Sequence, residues 1–381
     1  MKDLYEEFNA TCSKKIDVII VGAGPAGLGL GILLEKLGIN YTILEKYSVA
    51  ASFKKWPKET QFISPSFTGN FFKMPDLNAI SPDTSPAFSL LTEHPSGIGY
   101  AQYLQNIAEF YKLSIQEGIE VNNVQKNKNF FIINTNRGTY ISNILIWAGG
   151  EYQYPKTGSF LGDNLCVHYS KVKSFSSLKG KERIVIGAYE SGFDSAVNLV
   201  KQGKKVILID KEDYLHLVNS DSSYSLSPFT RDRIKECIDD IEYYRKTRVK
   251  EVTFDKGKYI VKTSNGNKFI SDYEPINCTG FDSSLKVVRE LFDFKEKYPL
   301  LNDFDESTKT KNLFLVGPRV KHGSALFCFI YKFRQRFAVI AEKIAKENKL
   351  PAKKIERVIQ EYKDNNFYLK DLSCCGSECS C

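Results

Sequence analysis

Two glycine-rich turns and one cysteine cluster carry chemistry in their spacing. Gly22-Ala23-Gly24-Pro25-Ala26-Gly27 has the spacing G-x-G-x-x-G, and Glu45 closes the apolar run that follows. Between a strand and a helix, such a turn aims free N–H groups and partial positive charge at a pyrophosphate. Gly22 allows the tight turn, Gly24 lets the backbone approach the phosphates, and Gly27 lets helix and strand pack closely. Glu45 can accept hydrogen bonds from an adenosine ribose. The pattern predicts a dinucleotide site, with Pro25, Ala26 and Lys46 as further contacts.

The pattern returns, imperfectly, at Gly187-Ala188-Tyr189-Glu190-Ser191-Gly192, with Asp210 closing its second strand. Gly187, Ser191, Gly192 and Asp210 are its candidate contacts. Tyr189 replaces the middle glycine, where a side chain hinders close approach of a pyrophosphate. Asp210 suits the ribose hydroxyls of NADH. Lys211, Arg231 and Arg233 suit the 2′-phosphate of NADPH. Both coenzymes stay open.

Cys374, Cys375, Cys379 and Cys381 crowd the last eight residues. Exposed thiols on a flexible chain end suit thiol–disulfide exchange, and such a cluster also suits capture of soft metals. No C-x-x-C pair occurs there, so no metal site is assigned.

The elements that must position these residues are readable. Ile16–Val21 is a continuous β-branched run, as a buried parallel strand requires. Leu28, Leu30, Leu33, Leu34 and Leu37 recur at helical spacing, Gly38 stands at a C-cap, and 41–44 is the second strand. Residues 98–113 predict a helix with Tyr103, Ile107, Phe110 and Tyr111 on one face. Strands follow at 119–124, 130–134 and 139–147. The second unit repeats this order: strand 183–186, helix 193–201 and strand 205–209, then strands at 249–254, 258–263 and 268–271. Strand 311–316 ends at Gly317-Pro318. A helix over 324–345 buries one face and presents Arg334 and Arg336 to solvent, and 350–362 is the last helix. The loop 46–95, with Trp56, Phe67, Phe71 and Phe72, is long enough to cover a ligand, and Trp56 is a candidate cofactor contact.

The bulk numbers agree with an α/β protein of more than one domain. The 381 residues are 42% apolar and 26% charged, with a net charge of +8 whose basic residues are interspersed with acids. That gives little support to a nucleic-acid or membrane role, and neither partner is expected. The first fifteen residues lack an apolar signal core, so a cytoplasmic protein with reduced thiols is expected.

Two such units, each followed by a three-strand meander, with returns at Ala148-Gly149-Gly150 and Cys278-Thr279-Gly280-Phe281, resemble the two-dinucleotide-domain flavoproteins. These include thioredoxin-reductase-like enzymes and flavin-containing monooxygenases. Phe160-Leu161-Gly162 followed by His168 is similar to the monooxygenase linker F-x-G…H. The resemblance implies two Rossmann-like FAD/NAD(P)-binding domains, the second inserted in the first: 1–155 and 276–365 for FAD, 156–275 for NADPH or NADH, and a tail at 366–381. It adds Thr279, Gly280, Gly317 and His322 as cofactor contacts, and puts FAD in the first, intact motif. Three departures stand out. Pro318 replaces the family's acid after Gly317, the second domain lacks C-x-x-C, and Ala26 stands where bacillithiol-disulfide reductases carry a cysteine.

By resemblance, a nicotinamide reduces the flavin, and the first helix turn after Ser324 stabilises the reduced ring. The reduced flavin then serves oxygenation of a small nucleophile. Alternatively, electrons pass through Cys374, Cys375, Cys379 and Cys381 to a low-molecular-weight or protein disulfide. A third reading is a non-catalytic redox sensor or soft-metal-binding flavoprotein. A homodimer is allowed.

Overall fold

The computed structural model describes residues 16–69, 74–219 and 221–376. Residues 1–15, Phe71 and Phe72 in the long loop, and Cys379 and Cys381 lie outside them, as does the Cys374 side chain.

The first sheet is built on β1 (Ile16–Val21), whose Val18, Ile19 and Ile20 are wholly buried. α1 (Pro25–Leu37) crosses to β2 (Tyr41–Glu45), which pairs parallel to β1. Gly38 ends α1 in the left-handed conformation, at φ 66°. α2 (Gly97–Phe110) leads to a short edge strand, β3 (Ile115–Glu117). The antiparallel meander β4 (Val121–Asn127), β5 (Phe130–Thr135) and β6 (Gly138–Trp147) then returns beside β1, and the sheet order is β3-β2-β1-β6-β5-β4.

A second parallel sheet follows. Its strands are β7 (Val167–His168), β8 (Glu182–Ile186), β9 (Lys205–Ile209), β10 (Ile241–Tyr244) and β14 (Ile276–Asn277), in the order β10-β9-β8-β14-β7. α3 (Glu190–Lys201) joins β8 to β9, and α4 (Pro228–Lys235) precedes β10. The meander β11 (Val249–Asp255), β12 (Lys258–Thr263) and β13 (Lys268–Ser271) forms its own sheet. The chain then rejoins the first sheet through β15 (Leu313–Leu315), parallel to β6. Two Rossmann-like units are thus present, the second inserted in the first. α5 (Ile330–Glu347) packs across α1 so closely that a Cβ on Gly29 would fall 2.1 Å from the Phe337 ring. α6 (Ala352–Asp364) closes the first domain.

Several sequence expectations are corrected. The helix expected over 324–345 begins only at Ile330, because Lys321–His322 and Ala325–Leu326 pair as a small hairpin. Arg334 and Arg336 are not solvated: they are 2% and 1% exposed. Arg334 donates to the carbonyls of Asp76 and Ala79 and lies over the Phe367 ring, while Arg336 pairs with the buried Asp305 at 2.9 Å. The polar face of α5 is covered by loop and chain-end backbone whose carbonyls need donors. The same contacts correct the tail: Phe367 is fully buried, Leu369 N–H donates to the Gln335 carbonyl, and Cys375 is 4% exposed. Phe110, expected on the buried face of its helix, is 75% exposed. Among the described residues, no helix is long and apolar enough to cross a membrane.

Candidate functional site

Gly22 leaves β1 at φ +106°, a conformation that L side chains rarely adopt, and a Cβ on Gly27 would fall 1.9 Å from the Gly22 carbonyl oxygen. These two glycines close the turn. Gly24 is different: a Cβ there would meet no protein atom within 4 Å. The protein packs nothing against Gly24, which leaves the N-terminus of α1 open to a ligand.

That opening is the end of a cavity of about 390 Å³, whose wall brings together Gly22, Gly24, Pro25, Ala26, Glu45 and Trp56. A smaller one of about 140 Å³ shares Gly22, Glu45, Gly149 and Gln153 with it and is lined by Lys46 and Val121. Glu45 therefore stands between the two. Its Oε2 accepts from Ala23 N–H at 2.8 Å and its Oε1 from Tyr47 N–H at 2.9 Å, leaving a lone pair on each oxygen. Burial pushes its carboxyl up from the usual range, and the two N–H donors oppose this. Lys46 pairs with Glu120 at 2.6 Å.

The long loop supplies the aromatic side of the larger cavity. Phe53, Trp56 and Phe62 line it, with Tyr100 packed behind Phe62 at a centroid distance of 4.3 Å. Thr60 holds the loop to the second domain through Asp194, whose Oδ2 accepts from Thr60 at 2.7 Å and from the Tyr169 hydroxyl at 2.9 Å. Asp194 Oδ1 takes Arg233 at 2.8 Å, which removes Arg233 from any phosphate. Arg231 is also spent, on the carbonyls of Leu215, Leu217 and Leu226.

The second glycine turn repeats the first: a Cβ on Gly192 would fall 1.9 Å from the Gly187 carbonyl oxygen. It borders a cavity of about 820 Å³ with Gly187, Ser191, Asp210, Thr279 and Gly280 in its wall. Tyr189 lies in that wall too, at φ −110° and ψ −158°, close to the extended backbone of Gly24. Its hydroxyl donates to the carbonyls of Ser223 and Ser225, at 3.2 and 2.9 Å. Asp210 is wholly buried.

The two large cavities meet. Glu151, Glu190, Ser191 and Phe281 line both. Glu151 faces Arg319 at 3.1 Å, and burial pushes its carboxyl up against the pull of that cation. Burial also pushes Glu190 up, although Ser227 and Thr230 donate to it. Glu151 follows the Gly149-Gly150 return by one residue and Glu190 lies inside the second turn, so position relative to those motifs was their only sequence signal.

Two expected contacts sit elsewhere. A Cβ on Gly317 would fall 3.5 Å from Ala26 Cβ, while Pro318 lines the 390 Å³ cavity. His322 lines none of these three cavities: its Nε2 bonds Asp305, the partner of Arg336. His168 is also a scaffold group. Its Nδ1 accepts from Ser170 N–H, so Nε2 carries the proton and donates to the Gly280 carbonyl at 3.0 Å. Burial lowers its pKa, in keeping with a neutral ring.

Cys328 is in the wall of the 390 Å³ cavity. Its thiol donates to Ser223 Oγ at 3.1 Å and is pushed up by burial to about 11, so it stays protonated near neutrality. Cys166 and Cys278 are pushed up to about 12. Among the described residues, no group of His, Cys, Asp and Glu is placed to hold a metal ion.

The model of one family, pyridine nucleotide-disulphide oxidoreductase, matches residues 19–317. The chain belongs to that family. Bacilliredoxin reductase Bdr of Bacillus subtilis (strain 168) is 25% identical over 338 residues, which cover 86% of this chain and 97% of that protein. The uncharacterized oxidoreductase CzcO of Bacillus velezensis is 31% identical over 195 residues, 49% of this chain and 52% of that protein, so the match spans about half the length of that relative. Among solved structures, the bacillithiol disulfide reductase Bdr (YpdA) of Staphylococcus aureus superposes with a TM-score of 0.72 at 20% identity, covering 88% of this chain and 99% of that one. A flavin-containing monooxygenase from Stenotrophomonas maltophilia gives 0.67 at 16% identity, covering 88% and 100%. These structures share the fold. The family's cofactors are FAD and NAD(P)H, and the open face of Gly24 beside the α1 N-terminus and the two spare lone pairs of Glu45 fit a dinucleotide.

Proposed function

We propose that this oxidoreductase uses NAD(P)H to reduce FAD and oxygenates a small nucleophilic substrate. FAD occupies the linked cavities around Glu45, and the nicotinamide nucleotide the cavity around Gly187 to Ser191. The observation that carries the transfer is the wall shared by the two, at Glu151, Glu190, Ser191 and Phe281. Bound FAD supplies a two-electron acceptor and, when reduced, the means of activating dioxygen.

The chain's own residues do the rest. Glu45 accepts from the adenosine ribose, and Gly24 with the α1 N-terminus holds the pyrophosphate. Lys46 and Val121 border the adenosine end. Phe53, Trp56 and Phe62 keep water from the reacting end, and Phe281 lines the same cavity, linked to Trp56 through Tyr152. The carboxyl of Glu151, biased toward protonation by burial, can hold a proton where the cavities meet. Oxygenation needs no protein thiol, which matches the described cysteines: Cys328, Cys166 and Cys278 are protonated near neutrality, and Cys375 is buried.

A second reading is reduction of a low-molecular-weight disulfide, favoured by the near full-length similarity to Bdr. In either case free thiols at Cys166, Cys237, Cys278, Cys328 and Cys375 suit a cytoplasmic setting. Stoichiometry separates the two. The FAD-loaded protein is reduced under nitrogen with NADPH or NADH, then given either oxygen with small amines and thioethers or a disulfide without oxygen. Incorporation of labelled oxygen into a substrate supports the proposal. Disulfide reduction, together with quantitative reduction of dioxygen to hydrogen peroxide and no oxygen transfer to any nucleophile tested, refutes it.

A further inference from the structure

We infer that Ser223 is a positioning residue that couples the two large cavities. A nucleotide seated at the second glycine turn takes Tyr189 off the Ser223 carbonyl, and the Ser223 side chain passes that release to the Cys328 thiol in the wall of the 390 Å³ cavity. The inference rests on the reading in which the 820 Å³ cavity takes the reducing nucleotide.

Tyr189 stands in the way of that ligand. It is the N-cap of α3 as Gly24 is the N-cap of α1, and the two share a nearly extended backbone. A Cβ on Gly24 would point into open space, the space that a pyrophosphate enters. In the second turn a phenol ring starts from the matching point. Its hydroxyl reaches the carbonyls of Ser223 and Ser225 at 3.2 and 2.9 Å, and its ring centroid lies 5.0 Å from that of Tyr214. Close approach of a ligand to the α3 N-terminus therefore makes the ring swing, and the two carbonyls lose their donor.

Ser223 joins that point to the first domain with every polar atom it has. Its N–H donates to Asp221 Oδ1 at 2.7 Å, and its carbonyl accepts from Tyr189. Its hydroxyl oxygen accepts from the Cys328 thiol at 3.1 Å and from Lys332 Nζ at 2.8 Å, while its proton goes to the Leu326 carbonyl at 3.1 Å. A hydroxyl has one donor and two acceptor sites, so none is left over. Lys332 is saturated too, by Asp221, Ser223 Oγ and the Leu326 carbonyl. Tyr189 lines one cavity and Cys328 the other, and Ser223 is bonded to both. The segment thus has a tied arrangement and a released one, and the nucleotide favours the second. Such coupling is reciprocal: whatever frees Tyr189 also favours the nucleotide.

The test follows alkylation of Cys328 by peptide mass at one fixed pH, with and without NADP+ or NAD+, while calorimetry gives the nucleotide affinity. It is run on the FAD-loaded protein and on the apoprotein, so that a flavin covering the thiol leaves the second measurement to decide. Burial is the largest influence on this thiol, so release, which exposes it, raises its rate. The expected rise on adding nucleotide is about two- to tenfold, the factor one neutral hydrogen bond supplies. Tyr189→Phe keeps the ring and loses the tie. It should bind nucleotide tighter by about two- to tenfold, and nucleotide should no longer change its Cys328 rate. Ser223→Ala should lose the nucleotide response, and Ser223→Thr, which keeps the hydroxyl, should retain it; the thermal midpoint of each variant checks folding. A bound nucleotide that leaves the Cys328 rate unchanged or slows it overturns the inference and leaves the reading of the cavity standing. So does a Tyr189→Phe variant that responds as the wild type does or binds no tighter, or a response that survives in Ser223→Ala. Binding of neither nucleotide sinks the reading and the inference together.

Discussion

Gly24 and Gly27 belong to one motif, and the structure assigns opposite outcomes to the same substitution at each. In Gly24→Ala the new methyl meets no protein atom within 4 Å, and the backbone at φ −89° accepts alanine without strain. Loss of unfolded-chain entropy should leave the apoprotein unchanged or more stable by about 0.4–1 kcal/mol. The methyl instead stands where a pyrophosphate must approach. Losing one or two charge-assisted hydrogen bonds, at about 1.5–3 kcal/mol each, weakens FAD binding by about tenfold to about ten-thousandfold. In Gly27→Ala the methyl would fall 1.9 Å from the Gly22 carbonyl oxygen and 3.3 Å from the Ile20 side chain. Backbone must move, so the apoprotein itself loses stability, by about 1–3 kcal/mol or more. The assay is paired: thermal unfolding of each apoprotein, and fluorescence titration with FAD. An apoprotein of Gly24→Ala less stable than wild type by over about 1 kcal/mol, or one that holds FAD as the wild type does, refutes the reasoning.

Three further outcomes are expected. Arg336→Met leaves Asp305, wholly buried, without its guanidinium, and should cost about 3–5 kcal/mol by urea denaturation; a change under about 1 kcal/mol contradicts the burial argument. Alkylation of Cys328, followed by peptide mass, should rise about tenfold per pH unit from pH 7 to 9.5, because its thiol titrates at about 11; a plateau below pH 9 refutes that. His168 is neutral when folded and has a lowered pKa, so the unfolded chain binds its proton first as pH falls. Its stabilising term is full above the ordinary histidine value of about 6.5 and is lost as pH falls below it. His168→Gln, which keeps an N–H for the Gly280 carbonyl, should lose less stability between pH 7 and 5 than the wild type; an equal or steeper loss contradicts the lowered pKa.

Much of the first unit was legible because local chemistry determines it. Gly22, Gly24, Gly27, Glu45 and the β-branched run before them have few other structural uses in that order, and the strand, turn, helix and second strand form where the sequence puts them. The α5 arginines were misread because helical periodicity reports which face is apolar, not what covers the other face. Arg334 and Arg336 are satisfied by carbonyls at Asp76, Ala79, Asp303 and Leu369, contacts set by tertiary structure. Glu151 escaped notice for the same reason: nothing local marks it, and its place at the junction depends on how the inserted domain meets the first. The meander strands were found to within a few residues, whereas β3 and β10 were missed because three and four residues are too few to show a period.

The two units share one sequence grammar and differ by a methylene. Glu45 is long enough to turn back and hold Ala23 N–H in the glycine turn, so acid and turn form one hydrogen-bonded edge before any ligand arrives. Such preorganisation lowers the ordering cost of binding and suits a cofactor that stays. Asp210 makes no such bond; it organises the 212–214 turn and fixes Tyr243. Tyr189 completes the difference, since the middle glycine of the first turn leaves space and Tyr189 ties that point to the 223–225 segment. The second turn is therefore held by its surrounding loop and not by its own acid. An edge left open suits an exchanging nucleotide, because a cofactor that must leave after each transfer gains nothing from a closed one. Replacing Asp210 by Glu tests that logic directly: a longer side chain that reaches Ala188 N–H should tighten 5′-AMP binding, and unchanged affinity would separate the two units by something other than the reach of their acids.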